Sequence, residues 1–226
     1  MKSLKRLGLA VILALSGCAT AYKPSTNSHS NDLTDFVDTK KPNAVVVFPI
    51  DDYNSAFYNY KEEEFVERLA ENYDVYAVIA DNENDVYAVL DKMKTSKVDL
   101  LMLNGHGEPK SLCLSNLNGE KYYIDTSDAE LRAYLGCLNK GAKIILFSCH
   151  IGEGKNKGKN LANFIADISE REVIAPDGIP KHRVTRFKAP FDINFYADKK
   201  VLGFIPWSTN ITYRTNQWLL NPNPSL

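Results

Sequence analysis

The chain has 226 residues, 44% hydrophobic and 24% charged, with a formal net charge of -1. These are ordinary globular values, enough chain for one domain with a sizeable core. A near-neutral balance excludes an electrostatic footprint for nucleic acid, so none is expected as a partner.

The N-terminal stretch "MKSLKRLGLAVILALSGC" has a basic start (Lys2, Lys5, Arg6), a short apolar run and small residues before Cys18. That pattern is a secretory signal, too short for a transmembrane helix. "LSGC", Leu15 to Cys18, resembles the lipobox of bacterial lipoproteins. The resemblance implies a signal peptide over 1–17, a lipidated Cys18 as mature N-terminus and a membrane partner reached through lipid. Ala19, rather than Asp, after the cysteine implies the outer membrane. Removing the signal leaves 24 basic against 28 acidic residues, a mature charge of about -4. Residues 18–41 are polar and rich in Ser, Thr and Asn, which reads as a flexible tether. His29 within it is a solvated histidine on this reading.

The domain, residues 42–226, opens with "NAVVVFPI", a strand buried on both faces. "KEEEFVERLAENY" places Phe65, Val66 and Leu69 at helical spacing behind an acidic first turn. "DVYAVIA" reads as a strand, "ENDVYAVLDKMKTS" as a helix and "VDLLMLN" as a third strand running into His106. Two alternating runs around "NLNGE", within 110–125, read as a β-hairpin. "TSDAELRAYLGCLNKG" reads as a helix capped by Thr126 or Ser127 and stopped by Gly141. "AKIILFSC" is the fourth core strand. "GEGKNKGKN" is a loop, "LANFIADISE" a helix and "REVIAPDG" a fifth strand. "KHRVTRFK", residues 181–188, reads as a solvated strand or loop, and "KVLGFIPWSTNITYR" as a C-terminal hairpin or strand pair. Strands alternating with helices predict an α/β domain with a mostly parallel central sheet and helices on both faces.

In such sheets the functional crevice lies beyond the carboxyl ends of the strands. Two strands end there in chemistry: "LMLNGHGEP" in His106 and "ILFSCHIG" in Cys149. A cysteine attacks as its thiolate, and a histidine within reach takes the proton. Gly105 and Gly107 allow close backbone approach, and an N–H beside His106, around Gly107, is placed to donate to an oxyanion. Gly152 is expected to turn the chain after the cysteine. His150 is the rival partner. On an extended strand it points away from the Cys149 thiol. No second Cys or His stands at metal-ligand spacing, so no metal and no cofactor is expected.

An apolar strand ending in His-Gly, followed by another ending in Cys with glycine soon after, resembles the caspase-like (clan CD) cysteine peptidases. That superfamily spans caspases, gingipains, clostripain, separase and the CHAT and toxin-type domains. The two residues are 43 positions apart (149 minus 106), against about 50 in caspases. The resemblance covers roughly residues 43–180, although "FSCHIG" stands where caspases carry their own signature. It implies the caspase-like three-layer fold, Cys149 as nucleophile and His106 as general base, acting on a protein or peptide substrate. It also implies that the region of Asp177 helps to build the pocket for the residue before the cut, where an acidic group selects Arg or Lys. From the residues themselves, Asp177 beside Gly178 reads first as a turn residue. The competing functional class is a non-catalytic lipoprotein that keeps the fold as a binding module.

Overall fold

A computed structural model describes residues 20–22, 41–50, 62–116, 122–154, 159–201, 205–208 and 210–213. The residues read as a signal peptide and Cys18 lie outside the described residues, as do the tip of the predicted hairpin and the middle of the loop after Cys149.

The strands are β1 (Thr20–Tyr22), β2 (Asn43–Pro49), β3 (Asp74–Ala80), β4 (Val98–Asn104), β5 (His106–Glu108), β6 (Ser111–Ser115), β7 (Tyr122–Asp125), β8 (Leu138–Phe147), β9 (Glu172–Pro176), β10 (Pro180–Arg186), β11 (Asp192–Val201), β12 (Ile205–Ser208) and β13 (Asn210–Tyr213). The helices are α1 (Glu62–Ala70), α2 (Glu83–Lys92), α3 (Leu131–Leu135) and α4 (Leu161–Ser169). The main sheet runs β1-β3-β2-β4-β8-β9-β13. Its five inner strands are parallel. Its two edges, β1 and β13, are antiparallel to their neighbours. Two antiparallel three-stranded sheets, β5-β6-β7 and β10-β11-β12, complete the described fold.

Strand alternation explains why the inner strands are apolar throughout: each residue faces one of two cores. Val45, Val47, Leu101, Leu103, Ile144 and Leu146 share a core with residues of α2, α3 and α4. Ala44, Val46, Leu100, Met102 and Ile145 face the other side, where α1 supplies Val66 and Leu69 and β11 supplies Ile193 and Phe195. The expected α/β architecture, with a mostly parallel sheet and helices on both faces, is therefore the one observed.

Local details differ from expectation at four places. Within the segment read as a tether, Thr20–Tyr22 form β1 and pair with β3, so those three residues are sheet. The helix expected from Thr126 to Gly141 is only Leu131–Leu135, and its N-cap Glu130 makes no side-chain cap bond. Thr126 and Ser127 instead belong to a turn in which Asp125 Oδ1 accepts from the Ser127 backbone N–H at 2.6 Å. Leu138 already pairs with Val98, so tertiary pairing takes the segment around Gly141 into β8. The predicted hairpin gains β5 as a third strand. The C-terminal pair is divided, β12 joining β11 and β13 joining β9.

Helix ends follow their capping residues. Asn82 and Asp85 form a capping box at the start of α2. Asn160 Oδ1 accepts from the Asn163 N–H at 2.8 Å at the start of α4. None of the described helices is long and apolar enough to cross a membrane.

Candidate active site

Strands β4 and β8 are adjacent and parallel, with Leu100 facing Lys143 and Asn104 facing Phe147. The register offset is thus 43 residues (147 minus 104), and 43 residues also separate His106 from Cys149. His106 and Cys149 are therefore each two residues past the carboxyl ends of neighbouring strands. The ladder continues one step beyond the strands, where Gly105 N–H donates to the Phe147 carbonyl at 3.4 Å.

At that point the His106 segment leaves the main sheet. β5 pairs antiparallel with β6, His106 facing Cys113 and Gly107 facing Leu112. Both flanking glycines are sterically required. A Cβ on Gly105 would lie 2.5 Å from the Cys113 carbonyl oxygen. One on Gly107 would lie 2.0 Å from Ser148 Oγ and 2.5 Å from the Cys149 carbonyl oxygen. The strand carrying His106 thus rests directly on the backbone carrying Cys149, with only a hydrogen's width between them.

Cys149 itself is half-buried and unpaired. Burial pushes its thiol above the ordinary cysteine range. In the resting protein the sulfur is accordingly protonated at neutral pH. Ser148, 2% exposed, has a hydroxyl with no hydrogen-bond partner among the described residues.

The chain turns after Cys149 and Gly152 lies within that turn, as expected. His150 has φ 56° and Gly154 φ 82°, so these residues, and not Gly152, take the left-handed conformations. The turn is docked on the end of β9. His150 N–H donates to the Gly178 carbonyl at 2.9 Å and Gly152 N–H to the Pro176 carbonyl at 2.8 Å. Asp177, half-buried, lies between those two acceptors, so it belongs to the same edge as Cys149. The His150 ring is occupied elsewhere: Nδ1 is 2.8 Å from Glu153 Oε2 in a half-exposed pair. Its backbone is left-handed rather than extended, so the strand alternation expected to turn it away from the thiol does not apply here.

The remaining cysteines differ in setting. The Cys113 thiol donates to the Ser115 carbonyl at 3.2 Å. Cys137 is fully buried just before β8, outside the helix expected to carry it, and burial pushes its thiol up to about 11. Both are free thiols. Among the described residues, no group of three His, Cys, Asp or Glu side chains is placed to hold a metal. Sequence reasoning missed the Ser148 contact with Gly107, the facing of His106 by Cys113 and the docking of the turn on β9. All three arise from pairings distant in sequence and leave no local pattern.

Residues 59–179 match the family described as a domain of unknown function, DUF4347, over more than half of the chain. The chain belongs to this family. The DUF4347 match includes His106, Cys149 and Asp177. No curated protein matches the sequence. One similar solved structure is a secreted C11 cysteine protease from Bacteroides thetaiotaomicron in complex with an irreversible peptide inhibitor. It is 13% identical with a TM-score of 0.36, and the match covers 62% of this chain and 50% of that one. The DUF4347 chain thus spans about half the length of that protease. Another is protein GSU0716 from Geobacter sulfurreducens, 14% identical with a TM-score of 0.37, the match covering 77% of this chain and 94% of that one.

Proposed function

We propose that this chain is a caspase-like cysteine endopeptidase, exported and held to a membrane, in the outer membrane, by lipid on Cys18. The observation that carries the catalytic half is the shared offset of 43 residues between the β4–β8 register and the His106–Cys149 pair. His106 acts as general base. It takes the Cys149 proton as sulfur attacks the peptide carbonyl, which suits a thiol that burial keeps neutral at rest. Charge developing on the carbonyl oxygen is met by a backbone N–H around Gly107. His106 then returns the proton to the departing amine, leaving an acyl group on sulfur that water hydrolyses. Asp177 at the same edge favours Arg or Lys before the cut.

The test is a digest of a broad peptide library under reducing conditions by wild type and by Cys149→Ala. Cleavage by wild type alone is expected, with His106→Ala equally inactive. One observation favours a non-catalytic binding module: no charged neighbour contributes to the shift of the Cys149 thiol, which burial alone raises. Identical, empty profiles from both proteins would decide for that module. The anchor has its own test, since Cys18→Ser is expected to release the chain from membranes. Retention of the variant would defeat the lipid reading.

A further inference from the structure

The register of the main sheet carries an implication for orientation. Ala21 of β1 faces Val78, Val78 faces Val47, Val47 faces Leu103 and Leu103 faces Leu146. These five residues form one row across β1, β3, β2, β4 and β8. β1 is antiparallel to the others, so its N-terminal end points where their carboxyl ends point. Cys18 precedes Ala21 by three residues, while His106 and Cys149 follow Leu103 and Leu146 by three. Cys18 is only two residues from Thr20, so it is held within about 7 Å of that strand end. Laterally, β1 is three strand steps from β4 and four from β8. That spacing is roughly 15–20 Å.

We propose that lipidated Cys18 turns the carboxyl-end edge of the sheet, with His106 and Cys149, toward the bilayer, so that the site works on polypeptide at the membrane surface. This rests on the lipid-anchor reading above and makes it directional. A polar tether of the whole 18–41 segment would let the domain tumble. An anchor two residues from a paired strand does not, because its reach is shorter than the domain is wide. Two exposed side chains near this edge, set among the exposed carboxylates of Glu108 and Glu153, suit a lipid surface. Ile179, 65% exposed, is the large apolar side chain left in solvent among the described residues. It follows Gly178, whose carbonyl holds the turn after Cys149, and exposed Lys181 comes two residues later. An apolar side chain beside a cation suits the boundary between acyl chains and anionic headgroups. The substrate class narrows accordingly to juxtamembrane segments and to other lipid-anchored proteins, presented within reach of the bilayer.

The experiment uses the lipidated full chain in vesicles carrying an energy acceptor on their headgroups. A donor dye is placed on Ile179→Cys or on Lys140→Cys, each in a Cys113→Ser, Cys149→Ala background. Lys140 is exposed near the start of β8, nine residues before Cys149. It should therefore stand roughly 25–30 Å farther from the edge. Transfer from position 179 should exceed transfer from position 140. A flexible Gly/Ser linker of about ten residues between Ala19 and Thr20, spanning roughly 15–20 Å, should bring the two values together. Equal or reversed transfer in the unmodified, vesicle-bound chain overturns the orientation while leaving the anchor intact. Persistence of vesicle binding in Cys18→Ser refutes the anchor itself, and this inference with it.

Discussion

Gly107→Ala tests the close seating of the His106 strand on the Cys149 backbone. The added Cβ would stand 2.0 Å from Ser148 Oγ and 2.5 Å from the Cys149 carbonyl oxygen, where real Cβ atoms keep beyond 3.0 Å. The backbone contact alone demands a shift of at least half an ångström. Ser148 has little room to turn aside because it is buried. Overpacking of this kind costs about 1–3 kcal/mol. For a domain of this size that lowers Tm by roughly 2–12 °C. The displaced atoms belong to the proposed nucleophile's own residue, and a misplacement of about 1 Å can cost on the order of 10²-fold in rate. Thermal melting followed by circular dichroism measures the first effect, and kcat/KM on the best library peptide the second. Gly178→Ala is the control, since a Cβ there meets nothing within 4 Å. It should change stability by less than about 0.5 kcal/mol. Gly107→Ala with an unchanged Tm and unchanged kcat/KM would refute the claim that the two strand ends are pressed together.

Three further outcomes are expected. Iodoacetamide labelling of native protein should reach Cys149 and leave fully buried Cys137 untouched, and the Cys149 rate should climb through and beyond the usual thiol range as pH rises, because burial lifts that thiol. A Cys149 rate already at its plateau at neutral pH would contradict the neutral resting state. The Cys137 thiol is raised from 9.0 to about 11, so the folded state holds its proton more tightly than the unfolded state does. Stability from this source is full below pH 9 and is lost as pH climbs to about 11, a change on the order of 2–3 kcal/mol. Urea unfolding of wild type and Cys137→Ala at pH 8 and pH 11 checks it, the variant lacking that part of the alkaline loss. Phe191 is 1% exposed and makes edge-on contacts with Phe65 and Phe187. Phe191→Ala should cost about 3–5 kcal/mol in chemical denaturation. A loss below about 1 kcal/mol would remove that side chain from the second core.

The parallel sheet was legible because its strands are apolar on both faces: "NAVVVFP" and "VDLLMLN" have no polar side to misread. β11 escaped notice although Phe191, Ile193 and Phe195 are buried at alternate positions from its leading edge inward. The Asp192 and Asn194 between them gave the stretch a mixed composition beside a basic run. α3 was overestimated because helical spacing continues through Leu138, whereas the pairing of Leu138 with Val98 cannot be seen locally. For the candidate site, residue type and strand ends brought out His106 and Cys149. Gly152 lies within the turn expected there, while a non-glycine, His150, bears the left-handed backbone, its N–H held by Gly178.

The seating of β5 also sets a schedule. The strand ends that lead to His106 and Cys149 come together only after β8 has slotted between β4 and β9, two of the inner parallel pairings of the sheet. Parallel pairings close long loops and form slowly. A chain synthesised from its N-terminus thus delivers its histidine well before its cysteine has a strand to stand on. The fold thereby sets its own order of assembly: the two strand ends lie side by side only when the central sheet is whole.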